Sequence, residues 1–378
     1  MDTITYSRNV FLPLTHVCRN HCGYCIFREP VREGCVMEKS AVIDTLKLGV
    51  ASGCTEALFT FGERPEEEKG FAEHIRRVGY ETILDYCYDM CRKALEMGIL
   101  PHTNAGILDY NELQRFREVN PSMGLMLETT ADIPAHRNCA GKKPEVRIEM
   151  LENAGKLRIP FTTGLLLGIG ETPADREESL EVIRDVHRRY DHIQEVIIQN
   201  FCPKPSTPME KWAVPGPDEV RDLILLAREI LPADISIQIP PNLINASELI
   251  DCGVTDLGGV SPVTIDYVNP EHPWPEIEEL AGIIGKDRRL CERLCIYRKY
   301  IDKGWYDPKL ACIIDKLNRD IRRETAGSDA FAFARRSYAV SCDILRYPSK
   351  PADTYDTCRY LPCGLWLSII VIDNGYLY

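Results

Sequence analysis

From its start to about residue 285 the chain alternates short apolar runs with longer amphipathic stretches, and it does so eight times. The run "NVFLPLT" is followed by a loop and a helical pattern from about Met37 to Ala51. "EALFTFG" leads through a charged segment to a helix over about Glu81 to Met97, with Gly98 where a C-terminal stop belongs. "ILPHTNAG" precedes a helix opened by Asp109, and "MGLMLE" precedes a polar loop and the helix "PEVRIEMLENAGKL". After "FTTGLLLGI" comes a helix with Thr172 as N-cap and Pro173 in its first turn. "EVIIQNF" leads to a helix from Pro217 to Ile230, "DISIQIP" to one starting near Asn242, and "TDLGGVS" to one from Pro275 to Ile284. Strands alternating with helices imply parallel βαβ units. Eight of them predict an α/β fold of the (β/α)8 TIM-barrel type; a doubly wound open sheet is the competitor that counting leaves open. The rhythm breaks near Arg288, so residues 1–285 read as the barrel and 286–378 as an extension packed on it. Within the extension, "LCERLCIYRKYIDKGWYDPKLACIIDKLNRD" suggests one or two helices and "YPSKPADTYDTCRYLPCG" a loop.

A barrel needs a large core, and 378 residues at 44% apolar supply one. The 57 acidic and 45 basic residues leave a net charge of −12, which argues against nucleic acid or an anionic membrane as the main partner. No apolar run approaches the roughly 18 residues of a membrane span. Met1 to Val10 contains Asp2 and Arg8 and lacks the apolar stretch of a signal peptide, so a cytoplasmic location is expected. In that compartment the 16 cysteines are reduced thiols, metal ligands or small core side chains.

Three of those cysteines stand apart. "THVCRNHCGYCIFREP" follows the first strand, where a barrel keeps its chemistry, and spaces Cys18, Cys22 and Cys25 as C-x3-C-x2-C. Two further C-x3-C pairs, Cys87/Cys91 and Cys291/Cys295, lack a third member and fall in helical patterns, so each reads as two thiols on one helix face. A closed zinc site needs four ligands, and only His16 or His21 could complete one here. Thiolates suit an iron–sulfur cluster better, and three of them leave one iron of a [4Fe-4S] cube without a protein ligand.

This pattern after the first strand of a β/α chain resembles the radical S-adenosylmethionine (SAM) superfamily. The resemblance implies that the open iron chelates the amino and carboxylate groups of SAM, and that one electron cleaves the sulfonium to a 5'-deoxyadenosyl radical. It also implies metal ligation by Cys18, Cys22 and Cys25 and places Tyr24 beside the adenine. "TFGERPE" resembles the family's Gly-Gly-Glu turn with Phe61 in place of the first glycine, so Gly62 and Glu63 carry that match to the SAM amino group. Glu128 and Arg147 match an acidic/basic pair on SAM's polar groups; Gly168 and Gly170 in "TTGLLLGIGET" match the glycine motif near the adenine. Each has a plainer reading: a solvated turn, a surface ion pair, a glycine kink.

The set "YSRNVFLPLTHVCRNHCGYCIF", "LFTFGERPE", "LPHTNAG", "IPFTTGLLLGIGET", "EVIIQNFCPKP" and "IQIPPNL" is similar, within the superfamily, to the small-subunit family of deazaflavin (FO) synthase. That resemblance implies an ammonia-releasing carbon–nitrogen lyase of coenzyme F-420 biosynthesis. A second radical SAM subunit would supply the adduct of tyrosine's hydroxybenzyl group with ribityl-diaminouracil. Hydrogen abstraction, ring closure, loss of ammonia and a further oxidation would then give 7,8-didemethyl-8-hydroxy-5-deazariboflavin. A low-potential electron donor is the remaining partner. Asn104, Gln199 and Asn200, at strand ends, are candidate contacts to the adduct, and His102 is a candidate for proton transfer during cyclisation; a strand-end His is more often structural. The competing readings are a sister enzyme (the tyrosine-joining partner, or one of the menaquinone pathway) and a non-enzymatic iron–sulfur or zinc protein.

Overall fold

Eight parallel strands close on themselves in sequence order. The structure, a computed structural model, describes residues 2–285 and 287–327. The first half runs β1 (Asp2–Leu12), α1 (Lys39–Ala51), β2 (Glu56–Thr60), α2 (Phe71–Arg77), α3 (Ile83–Glu96), β3 (Leu100–Asn104), α4 (Tyr110–Arg117) and β4 (Ser122–Gly124). The second runs α5 (Pro144–Lys156), β5 (Phe161–Leu167), α6 (Pro173–Tyr190), β6 (Ile193–Asn200), α7 (Pro217–Ile230), β7 (Ser236–Gln238), β8 (Asp256–Val260) and α8 (Ile277–Ile284). β1 pairs with β2 on one side and β8 on the other, which makes the sheet a barrel. The TIM-type expectation holds.

Local chemistry explains why most elements start where they do. Asp109 and Thr172 both form capping boxes, with Glu112 and Asp175 respectively, and Pro173 occupies the first turn of α6. β5 is buried along its whole length, as a strand with barrel lumen on one face and helices on the other must be. Cys87 and Cys91 do lie together on α3, both fully buried.

Two expectations fail. No helix starts near Asn242; the segment holds two short 3-10 turns, Ala246–Glu248 and Ile250–Cys252. The Asn242 amide at the expected helix start bonds to Asp266 and the His272 carbonyl of the neighbouring loop instead. Cys291 and Cys295 do not share a helix face either. Cys291 is in β9 (Arg288–Glu292), and Cys295 is buried in the irregular segment after it. The reason lies in β1, whose 11 residues outrun its neighbour: β2 pairs only with Asn9–Leu12, leaving Asp2–Tyr6 as an open edge that β9 fills in parallel. The expected helices of this region follow as α9 (Arg298–Asp302) and α10 (Ala311–Gly327). The loop expected in "YPSKPADTYDTCRYLPCG" lies outside the described residues.

The segment after β9 also plugs the N-terminal end of the barrel. Arg293 donates from Nε to Asp256 on β8 (2.6 Å) and from a terminal nitrogen to Glu195 on β6 (2.8 Å), and Tyr297 donates its hydroxyl to Glu195 (3.2 Å). The Cys295 carbonyl accepts from Ser122 Oγ (2.8 Å) and Gln194 Nε2 (2.9 Å). Burial pushes the Glu195 carboxyl up to about 8 despite Arg293.

Candidate active site

The C-terminal ends of the strands hold the cysteines. Cys18, Cys22 and Cys25 are all half-buried in the loop after β1. The backbone N–H groups of Glu63 and Asn20 point at Cys18 Sγ, at 3.2 and 3.4 Å. The turn after β2 presses against this loop so closely that a Cβ on Gly62 would overlap the Val17 carbonyl. Gly62 N–H donates to Thr15 O (2.9 Å), and the buried Glu63 carboxylate accepts from Arg19 Nε (2.7 Å) and Ile107 N–H (3.0 Å). Gly62 and Glu63 therefore brace the cysteine loop, whatever else they touch.

A second group assembles around Glu128, just past β4. Its backbone is left-handed, with φ of 67°, while its N–H still reaches Gly164 O on β5 (2.8 Å). That conformation turns the carboxylate toward Tyr24, whose hydroxyl donates to it at 2.5 Å. His136 Nε2 lies 3.0 Å away, Lys142 is ion-paired with it, and Arg147 of α5 stands at 3.8 Å. Burial opposes the Glu128 charge, but Lys142 and Arg147 outweigh it and hold the carboxyl well below its usual range. Arg147 is itself anchored, donating Nε to Gly141 O (2.9 Å) and a terminal nitrogen to Met126 O.

The structure thus brings Tyr24, Glu128 and Arg147 into one cluster against the cysteine loop. A hydrogen bond with Cys139 is the main reason that the Cys22 thiol falls to about 6; burial works against the drop and the Lys142 charge supports it. Cys25, by contrast, is pushed up to about 11, first by burial. Sequence reasoning missed His136, Cys139 and Lys142, which all sit in what reads as a polar loop. The density of His, Cys and Lys in "HRNCAGKK" was the available signal.

Tyr24 also packs on an apolar cluster of Ile133, Ala135, Leu166, Ile169, Phe201 and Met209. Ile169 stands between Gly168 and Gly170. Gly168 has φ of +94° and no room for a Cβ against Pro215, while the Glu171 carboxylate accepts from the N–H groups of Gly168 and Ile169, both at 2.8 Å. The fifth-strand glycines therefore shape one wall of the cluster that Tyr24 lines.

The remaining candidates sit apart from these groups. His102 is buried inside the barrel, with Nδ1 2.8 Å from Ser122 Oγ and so one bond from the Cys295 carbonyl of the lower plug. Burial, helped by Arg293, lowers His102 to about 3, which leaves a neutral imidazole and a weak base. Asn104 donates to Thr60 Oγ1 (3.4 Å) on β2, and Gln199 is half-buried in register with Leu166. Asn200, 5% exposed at the end of β6, donates to Leu243 O (3.4 Å) on the next loop.

The donor set fits an iron–sulfur cluster: three thiols on one short loop, with backbone N–H groups on a sulfur. The two histidines of the zinc alternative each have a protein neighbour. His16 Nδ1 is engaged by the Phe27 carbonyl (3.0 Å), and His21 Nε2 lies 3.7 Å from Glu68. Beside the thiols, two buried cations, Lys142 and Arg147, stand against the Glu128 carboxylate, and the Lys142 charge also acts on Cys22; such cations suit anionic groups, a thiolate or a carboxylate alike.

Known proteins resemble this chain in sequence and in fold. The Radical SAM superfamily pattern matches residues 12–183. A 7,8-didemethyl-8-hydroxy-5-deazariboflavin synthase of Methanoculleus marisnigri is 67% identical over 329 residues, covering 87% of this chain and 98% of that protein. The protein of the same name from Archaeoglobus fulgidus is 48% identical over 337 residues, 89% of this chain and 100% of that one. Among solved structures, the FeFe-hydrogenase maturase HydG of Carboxydothermus hydrogenoformans superimposes with a TM-score of 0.59 at 17% identity, covering 89% of this chain and 81% of HydG. Methylornithine synthase (PylB) gives 0.58 at 16% identity, covering 80% and 86%. At these identities the two structures speak for the fold.

Proposed function

The chain belongs to the family of 7,8-didemethyl-8-hydroxy-5-deazariboflavin synthases within the radical SAM superfamily, and from that premise we propose that it closes the deazaflavin ring of coenzyme F-420. The substrate is the adduct of a tyrosine-derived hydroxybenzyl group with ribityl-diaminouracil, made by a second radical SAM subunit. The reaction is an oxidative cyclisation that expels ammonia. The convergence of Cys22, Tyr24, Glu128 and Arg147 from three separate parts of the chain carries the reading.

Cys18, Cys22 and Cys25 would hold a [4Fe-4S] cluster, which together with SAM would supply the radical chemistry. Every other task falls to the chain. Gly62, Glu63 and Arg19 hold the cysteine loop in place. Lys142 and Arg147 offer positive charge to SAM's carboxylate, and Glu128, kept ionised, offers an acceptor to its amino group. Tyr24 and the Ile169–Phe201 cluster provide an apolar wall for the adenine. Asn104 on β3 and Gln199 on β6 would face the adduct, and Asn200, the last residue of β6, would reach it from the strand end. The Arg293 plug closes the far end of the barrel with charged groups that bond to one another. Residues 1–285 carry this chemistry, and the described part of the extension supports it from below. We place the reaction in the cytoplasm, with a low-potential protein as electron donor; no described helix is long and apolar enough to cross a membrane.

Anaerobic reconstitution with SAM and a low-potential reductant tests the first half: 5'-deoxyadenosine is the expected product, and its absence from a cluster-loaded sample would sink the enzyme reading. Adding the partner subunit, tyrosine and ribityl-diaminouracil tests the second, with the fluorescent deazaflavin and ammonia as products. Consumption of tyrosine by this chain alone would assign it instead to the tyrosine-joining sister.

A further inference from the structure

Buried Asn200 at the end of β6 and half-buried Asn242 in the loop after β7 carry buried carbonyl oxygens with no hydrogen-bond partner among the described residues, Asn200 Oδ1 and Asn242 Oδ1. Their orientation is not arbitrary. Asn242 Nδ2 donates to Asp266 Oδ2 (3.0 Å) and to the His272 carbonyl (3.2 Å), so reversing the amide would set three oxygens against one another. Asn200 Nδ2 points at the carbonyl of Leu243, the residue next to Asn242 (3.4 Å), and at Cys202 Sγ (3.5 Å), so reversing this amide would set its oxygen against the Leu243 carbonyl. In each amide the N–H2 end is spent on the scaffold and the C=O end is left over. A buried acceptor without a donor is costly, so such an atom calls for a partner that arrives later.

The same group of loops holds a buried cation. Lys204, 4% exposed on the loop after β6, pairs with Glu271, which adjoins His272 and thereby the Asn242 contact. Contacts run from Asn200 through Leu243, Asn242, His272 and Glu271 to Lys204. Asp266 stiffens them by accepting from the N–H groups of Val268 (2.9 Å) and Asn269 (3.0 Å). Asn200, Asn242 and Lys204 come from the loops at the C-terminal ends of β6 and β7, whereas the cysteine and Glu128 groups follow β1 and β4. The set combines two unused acceptors with an ammonium that has N–H groups beyond the one given to Glu271.

We infer that Asn200, Asn242 and Lys204 bind the ribityl chain of the adduct, each carbonyl accepting from one hydroxyl and the ammonium donating to the chain. Vicinal hydroxyls answer this mixture because every hydroxyl donates and accepts at once. The inference rests on the proposed reaction and adds to it the part of the substrate that these loops recognise.

The test uses cluster-loaded enzyme and two adducts, one with the ribityl chain and one with an unhydroxylated pentyl chain. Asn200→Ala and Asn242→Ser are each compared with the parent enzyme for adduct KM, kcat, equilibrium adduct binding and SAM affinity. The parent should prefer the ribityl adduct. Each variant should raise KM for the ribityl adduct about ten-fold, the worth of one buried hydrogen bond, and leave the pentyl adduct and SAM affinity unchanged. Lys204→Met should lower the same preference. An equal rise for both adducts assigns the residues to folding of the loops and overturns the inference, as does no change for either. A parent enzyme that cleaves SAM yet neither binds nor converts either adduct fails the proposed reaction itself. A variant sensitive instead to N-methylation of the pyrimidine ring would show that these amides read the ring, and would also overturn the assignment to the chain.

Discussion

Two buried charge clusters sit at opposite ends of the barrel with inverse compositions. At the C-terminal end a carboxylate, Glu128, stands among Lys142, Arg147 and His136. At the N-terminal end a guanidinium, Arg293, stands among Glu195 and Asp256, with Glu56 near enough to feel its charge. The difference lies in how each disposes of its surplus. The lower cluster absorbs its extra acid by keeping a proton, since burial pushes Glu195 up to about 8, and every partner is a fixed part of the barrel. The upper cluster cannot shed its surplus: an arginine stays protonated, and Lys142 is held above its ordinary value by Glu128 and Cys22 against the pull of burial and Arg147. One cluster closes on itself and stabilises. The other sets two cations against one carboxylate beside the cysteine loop, where the Lys142 charge helps lower the Cys22 thiol.

The largest effect should come from the upper end. Cys22→Ala should give a folded chain with a normal unfolding midpoint, a reduced iron content and visible cluster absorbance, and SAM cleavage lowered more than about a hundredfold. Full activity in that variant would remove Cys22 from the ligand set. Next comes the lower end, where Arg293→Met leaves buried carboxylates unpaired and should cost about 3–5 kcal/mol in chemical denaturation. The protein that does fold should keep most of its SAM cleavage, and adding Glu195→Gln and Asp256→Asn should return part of the loss. If Arg293→Met instead abolished SAM cleavage at unchanged stability, the division between the two ends would be wrong.

A smaller effect probes the brace under the cysteines. Gly62→Ala forces a methyl group into the Val17 carbonyl and should cost about 1–3 kcal/mol, with poorer cluster loading on titration with iron and sulfide. Unchanged loading would mean that the loop relaxes freely. The subtlest test is the pH dependence of the lower cluster. A carboxyl raised in the folded state favours folding fully below its unfolded pKa, near 4.3, and loses that contribution as pH climbs toward 8. The parent should therefore lose stability over that window, by at most about 1.4 kcal/mol per pH unit from this group. Glu195→Gln should flatten the decline without removing it, because burial raises Glu56 as well. Identical slopes would show that Glu195 does not hold the proton.

The upper end was more legible in sequence than the lower, for a physical reason. Cys18, Cys22 and Cys25 lie within eight positions, and glycine turns such as Gly168–Gly170 advertise themselves by residue type. The partners of Glu128 do not: His136 and Lys142 belong to a loop without periodicity, and only the left-handed turn at Glu128 aims the carboxylate at them. The cysteine pairs show the same limit. Cys87/Cys91 and Cys291/Cys295 have one spacing and opposite outcomes, because α3 has an amphipathic pattern of its own while Arg288–Glu292 takes its form from the open edge of β1.

By itself, then, the sequence determined most of the elements and the cysteine loop: eight apolar runs, all but one followed by a helix, and three thiols after the first of them. Such features are set by neighbours within a turn or two of one another, so they survive in a linear reading. Only the tertiary structure decided that the chain after residue 287 returns to pair with β1 and plug the barrel, and that His136, Lys142 and Arg147 surround Glu128. It also decided that Asn200 and Asn242 keep their carbonyls unspent. These depend on which groups become buried together, and burial is a property of the closed barrel rather than of any stretch of chain.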